Sequence, residues 1–205
     1  MDNLRQGDIA VIRTSFSGDL RTGVILFLLL TLITGVIYPL AITVAAFAFP
    51  VAATGSLVHH EQQVVGSELI GQPFDDARYF WGRPSATTPA YNGLAGSGSN
   101  LATTNPALVD AVQARIERLR AVDPENTTAI PIDLVTTSAS GLDPHISPAA
   151  ANYQARRIAR LRGLTEKQVH DLIKQHTESP TLGILGQARV HVLRLNRSLD
   201  ALKHD

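Results

Sequence analysis

The sequence predicts an α+β protein: a single N-terminal transmembrane helix followed by one mixed α/β extracytoplasmic domain. Three observations predict it. Residues 22–47 carry no charged side chain. Beyond them, helix-cap and proline signals alternate with Gly- and Ser-rich stretches, the pattern of helices set among short strands and loops. Lys and Arg flank the apolar run closely on one side only.

The run comes first. Fourteen Val, Ile, Leu or Phe residues lie between Val24 and Val44. On an insertion scale they favour the bilayer by roughly 4–8 kcal/mol, with no central charge opposing. Residues 22–47 as a helix reach ~39 Å, enough to cross a ~30 Å hydrocarbon core with some tilt. Ala46-Phe47-Ala48 and Val51-Ala52-Ala53 offer signal-cleavage spacing, but the run is well past the length of a signal h-region. Arg5, Arg13 and Arg21 precede the span, and the next Lys or Arg after it is Arg78. The positive-inside rule therefore places residues 1–21 as a cytoplasmic tail with little structure. Residues 22–47 are the span, 48–58 a connector, and 59–205 the extracytoplasmic domain, periplasmic or extracellular in a bacterium. Within the span, Thr31, Gly35, Tyr38 and Pro39 fall at helical spacing on one side, and Pro39 predicts a kink. Small residues there suit close helix approach, so this side is a candidate partner-binding face. An ordinary anchor with tolerated small residues is the alternative.

The domain follows in order. Residues 56–72 read as short strand pieces broken by Gly66 and Gly71. Phe74, Tyr79, Phe80 and Trp81 form an aromatic cluster that reads as core. Residues 91–105, rich in Gly, Ser, Asn and Thr, read as a long loop. Asn105-Pro106 opens a helix with an N-cap and a proline at its first position. Leu108, Val112, Ile116 and Leu119 line its face, and Asp123-Pro124 stops it. Residues 130–135 read as a short strand or extended segment, and 136–146 as a second polar loop. Ser147-Pro148 repeats the cap signal for a helix ended by Gly163. Arg156, Arg157, Arg160 and Arg162 crowd its last turns, where they suit the helix dipole and read as a solvated face. Thr165 and Gln168 form a capping box for the next helix. Residues 182–186 are a Gly-rich turn, 190–195 alternate as a strand, and a last helix starts near Asn196.

Composition narrows the chemistry. Of 205 residues, 18 are basic and 18 acidic, and aromatics are 5%. That balance argues against nucleic-acid binding. With no cysteine there is no disulfide, thiolate zinc site or cysteine nucleophile. No P-loop occurs, and Gly93-Leu-Ala-Gly96-Ser-Gly98 lacks the dinucleotide order. The seven histidines show no metal-ligand spacing. Asp143, His145 and Ser147 are triad residue types, but they stand too close in sequence for a spatially assembled triad. Ser147 reads better as an N-cap and Asp143-Pro144 as a turn. The residues thus favour an accessory or binding role.

Several motifs occur together: Gly66-Ser67-x-Leu69-Ile70-Gly71-Gln72-x-Phe74, Tyr79-Phe80-x-x-Arg83-Pro84-Ser85-Ala86 and Gly98-Ser99-Asn100-Leu101. Ser140-Gly141-Leu142-Asp143-Pro144-His145-Ile146-Ser147-Pro148-Ala149-Ala150-Ala151 and Val192-Leu193-x-Leu195-Asn196 follow. The set closely resembles the C subunit of the Kdp-type potassium-transporting ATPase, from the span almost to the C-terminus. Residues 95–98 and 137–139 depart from the family pattern by changes between small loop residues. The resemblance implies an accessory, non-catalytic subunit of a bacterial inner-membrane complex for ATP-driven potassium uptake. Its partners would be a channel-like potassium-binding subunit and a P-type ATPase subunit. It implies a role in assembly, and as a catalytic chaperone that raises the pump's ATP affinity. It associates Gln154 with ATP, with no tightly bound cofactor, and makes Arg83, Asn100, Asp143 and His145 candidate partner-binding residues. A domain outside cannot reach cytoplasmic ATP across ~30 Å of hydrocarbon. The expectation is that it docks on the outer face of the potassium-binding subunit. A membrane-anchored hydrolase using His145 or Ser147, or a nucleotide-binding module, is the alternative.

Overall fold

The computed structural model describes residues 16–60 and 62–202. Arg5 and Arg13, like most of the expected cytoplasmic tail, lie outside them. The chain divides into two compact units at Thr54/Gly55.

The first unit is one apolar helical rod, Phe16–Ala46, of 31 residues. At 1.5 Å per residue it is about 46 Å long, sufficient to span a bilayer. It comprises α1 (Phe16–Leu32), a π-helical turn (Ile33–Ile37) and α2 (Tyr38–Ala46). Its start corrects the expectation of an unstructured tail up to residue 21. Extending an existing helix adds one hydrogen bond per residue fixed, with no new nucleus to form. Asp19, in the first turn, also faces the positive end of the dipole. The π turn lies just ahead of Pro39. There the Tyr38 N–H bonds Ile33 C=O, five residues back. A proline has no N–H and its ring crowds the carbonyl four residues earlier, so the ladder widens at that point. Thr34 and Thr43 turn their hydroxyls onto the carbonyls of Leu30 (2.7 Å) and Pro39 (2.8 Å), which keeps them bonded in an apolar medium. A short helix, α3 (Pro50–Ala53), follows within the expected connector.

The second unit begins with the antiparallel hairpin β1 (Leu57–His60) and β2 (Gln63–Ser67), which carries a bulge after Val58. A long irregular stretch leads to α4 (Pro106–Val122), where the Asn105 side chain accepts from the Ala107 N–H as expected of an N-cap. A 3-10 turn at Ile132–Leu134 stands within the stretch 130–135 expected as a short strand or extended segment. Its Leu134 and Val135 are buried without strand pairing. β3 (His145–Ile146) leads into α5 (Pro148–Arg162) and α6 (Glu166–Gln175). Both helices start at the caps read from sequence, and Gly163 ends α5 at φ +66°. β4 (Thr177–Glu178), β5 (Arg189–His191) and α7 (Val192–Ala201) complete the unit. The sheet order is β3-β5-β4, all antiparallel. The expected strand 190–195 is therefore mostly helix. His191 accepts from the Arg194 N–H as N-cap, and the Val192 N–H bonds Pro144 C=O, so the chain turns helical four residues early.

The core gathers the apolar faces of α5, α6 and α7 around Phe80 and Trp81. These two aromatics sit on irregular chain, and two buried carboxamides substitute for a sheet. Asn196 of α7 accepts from the Phe80 N–H (2.9 Å) and donates to its C=O (3.0 Å). Gln154 of α5 does the same for Trp81 (2.8 and 3.1 Å). In extended chain, successive N–H and C=O pairs point to opposite sides, so α5 and α7 grip the segment from two directions. Arg157, expected on a solvated face, is instead 2% exposed. It donates to the carbonyls of Ala77 and Tyr79 and to Gln154, and its guanidinium stacks on Trp81 at 5.0 Å. Burial pulls its pKa down to about 10. Arg162 is largely covered too and pairs with Asp200 at 2.8 Å. Only Arg156 and Arg160 keep the expected exposure, held by Glu125 and Asp123.

Candidate functional site

The motif block, residues 140–151, contributes Asp143, His145, Ile146, Ser147 and Ala149 to one open cleft of about 650 Å³. Its walls include Arg83, Ile132, Asp133, Asp143, His145 and Arg189. The block is stitched into place by backbone bonds. Leu142 C=O accepts from the Gly71 N–H (2.9 Å), and Gly141 C=O from the Ser85 hydroxyl (2.7 Å). Glycine is required here: Gly141 has φ +67°, and a Cβ on it would come 2.5 Å from Ser97 O. A Cβ on Gly98 would come 2.9 Å from Ala139 O. The Gly-rich run 93–98 thus lets two loops pack backbone to backbone.

Within the cleft, Arg83 donates to Thr137 C=O (2.9 Å) and reaches the Asp143 carboxylate at 3.5 Å. Asp143 also accepts from the His145 N–H (3.0 Å), and lies 3.2 Å from its Nδ1. Burial raises the Asp143 carboxyl, but the His145 hydrogen bonds and the charges of His145 and Arg83 more than offset this and hold it below the usual carboxylate range. The His145 ring stands edge-on to His191 at 5.1 Å across the β3/β5 pair. Ser147 accepts from the Ala150 N–H (3.0 Å) and donates to Asp133 (3.2 Å), whose other oxygen takes the Ser147 N–H (2.7 Å). His145 bonds Asp143 and Ser147 bonds Asp133, so the nucleophile–base contact needed by a serine hydrolase is not formed. Ser147 is the N-cap of α5, and Asp143 takes the His145 N–H where the chain enters β3.

Three of the expected partner-binding residues, Arg83, Asp143 and His145, meet in this cleft. Asn100 does not line it. It is exposed, with φ +51°, in the loop before α4. Thr31, Gly35, Tyr38 and Pro39 belong to the first unit, where all four residues are exposed. The π turn at Ile33–Ile37 widens the helix by one residue per turn, which shifts the phase of Tyr38 and Pro39 against Thr31 by about 100° relative to α-helical spacing. Gln154 is 1% exposed, and its amide is taken up by Trp81, Arg157 and Ala150 C=O. A nucleotide contact by this side chain would have to break those bonds. Asp133, which anchors Ser147, was missed from sequence because it stands 14 residues upstream. The roles of Gln154 and Asn196 had a readable signal. Gln154 falls at i+4 between Ala150 and Ile158, and Asn196 lies among Val192, Leu195 and Leu199, so each interrupts an apolar face.

Comparison with known proteins bears on this architecture as a whole. The family described as KdpC, K+-transporting ATPase, c chain, matches residues 20–201. A potassium-transporting ATPase KdpC subunit of Polaromonas naphthalenivorans is 62% identical over 90% of this chain and 95% of its own length. The subunits of the same description from Sorangium cellulosum and Methylococcus capsulatus are each 57% identical. They cover 90% and 89% of this chain, and 98% and 97% of their own lengths.

Proposed function

The chain belongs to the KdpC family of K+-transporting ATPase c chains and is thus a subunit of a potassium-transport complex; on that premise we propose that it is a non-catalytic, single-pass subunit that holds the complex together. Its partners in this reading are a channel-like potassium-binding subunit and a P-type subunit that hydrolyses ATP. The chain sits in a bacterial inner membrane, N-terminus cytoplasmic, with the Gly55–Asp205 unit outside. One observation carries the non-catalytic reading: every polar group of the motif block with triad chemistry is tied to a neighbour in a holding role, Ser147 to Asp133 and His145 to Asp143. The catalytic-chaperone effect on ATP affinity then acts through the partner subunits, without nucleotide contact at the buried Gln154. Two measurements test this. A tagged copy should co-purify two larger membrane proteins, one carrying Asp-Lys-Thr-Gly-Thr. ATP titration of the ATPase with and without the chain should show tighter binding with it, while calorimetry of the chain alone shows no ATP binding. Heat of ATP binding to the isolated chain would sink the indirect reading.

A further inference from the structure

Residues 179–188, which join β4 to β5, read Ser-Pro-Thr-Leu-Gly-Ile-Leu-Gly-Gln-Ala and hold no charged side chain. Glu178 and Arg189 close the base of this connection as an ion pair at 3.0 Å. The tip is ordered by its own backbone. Thr181 and Leu185 exchange both N–H···O=C bonds at 2.9 Å, and the Gly183 N–H donates to Pro180 C=O at 2.9 Å. Three aliphatic side chains stand on it in solvent: Leu182 (84% exposed), Ile184 (81%) and Leu185 (58%). Leu182 also has φ +56°, a conformation that residues with a Cβ rarely adopt. The backbone is therefore strained where it presents an apolar side chain to water, and folding of this chain alone favours neither feature. Strain and contiguous exposed apolar surface together mark a contact surface.

We propose that residues 181–186 form an apolar finger that inserts into an uncharged pocket on a membrane-embedded partner subunit of the ATPase complex, an inference that rests on the docking role above. A lipid surface fits less well. The finger has none of the Trp, Tyr, Lys or Arg residues that anchor segments at a bilayer interface. Its outward backbone groups would also lose water in hydrocarbon without gaining partners. A protein pocket can pair those groups, and the pre-bonded turn leaves little ordering to be done on binding. A charge in such a pocket would be buried against six uncharged residues, so the matching surface is itself uncharged. The finger is continuous with the cleft, which Gln187, Ala188 and Arg189 at its base line together with Arg83 and Asp143.

The test uses the full chain co-expressed with the other subunits. Ile184→Asp should cut co-purification of the partner subunits at least tenfold. Leu182→Gly removes an anchor but relieves the backbone, so it should weaken co-purification severalfold while the chain's thermal midpoint does not fall. If the wild-type chain fails to co-purify the partners, the docking role itself falls. If the wild type succeeds and both variants match it, the finger alone is overturned. The chain has no cysteine, so an environment-sensitive dye on Ile184→Cys reports this site only. Its emission should shift to the blue on assembly with the partner subunits and stay unshifted in phosphatidylglycerol vesicles carrying the chain alone. A blue shift in those vesicles would overturn the protein pocket in favour of lipid.

Discussion

Gln154 and Asn196 do for Trp81 and Phe80 what adjacent strands do in a sheet. Each reads both backbone groups of one residue, across 73 and 116 positions of sequence. Truncating either leaves buried donors and acceptors unpaired, at about 1–3 kcal/mol for each group. Gln154→Ala should therefore destabilise the chain by at least about 2 kcal/mol, read as a lower urea midpoint of the full chain in detergent. Gln154→Glu keeps the acceptor for the Trp81 N–H and Arg157 but loses the donor to Trp81 C=O, so its loss should be smaller. If Gln154 acted by touching nucleotide, Gln154→Ala would change ATP affinity of the complex and leave the urea midpoint where it was.

At the scale of the element, α7 depends on a neutral imidazole. His191 Nδ1 accepts from the Arg194 N–H at 3.4 Å, and Nε2–H donates to Glu68 C=O at 2.9 Å, so one ring caps the helix and ties it to the chain following β2. Burial holds its pKa below the ordinary histidine value, although the Glu68 carbonyl pulls the other way. His176 is shifted in the same direction, again chiefly by burial. The unfolded chain takes up protons near pH 6.5 that the folded chain refuses, so the stability of the fold is full above that value and falls as pH drops below it. Unfolding midpoints measured from pH 8 to 5 should decline below about pH 6.5, and His191→Gln should flatten part of that decline. A midpoint independent of pH across this window would contradict the neutral cap. The same helix shows where sequence reading stopped. Asn105-Pro106, Ser147-Pro148, Thr165 with Gln168, and Gly163 were legible because each acts within one turn of chain. The start of α7 was not, because it needs Pro144 to receive the Val192 N–H. The burial of Arg157 was likewise invisible, since its acceptors lie about 80 residues away. In the cleft, the residue types of the motif block were visible, but the Asp133–Ser147 bond, made across 14 positions, was not.

For the whole molecule, the decisive question is which side of the bilayer holds the Gly55–Asp205 unit. Arg5, Arg13 and Arg21 precede the span, and no Lys or Arg lies between the span and Arg78, a charge asymmetry that predicts the unit outside. Leu94 is 99% exposed on the Gly-rich loop. With no competing thiol in the chain, Leu94→Cys should react with a membrane-impermeant maleimide in intact spheroplasts, to the same extent as after lysis. Labelling only after lysis would reverse the topology and with it the docking face.

The π turn at Ile33–Ile37 has a consequence for assembly. It sets the phase between α1 and α2, so a contact made by Thr31 and one made by Pro39 face directions that an unbroken α-helix would not give them. A partner helix lying straight along this rod meets one stripe of side chains below the turn and a different stripe above it. Any recognition face on this span would thus be split in two, and deleting a single residue between Ile33 and Ile37 would bring the two stripes into a different register while leaving hydrophobicity almost unchanged.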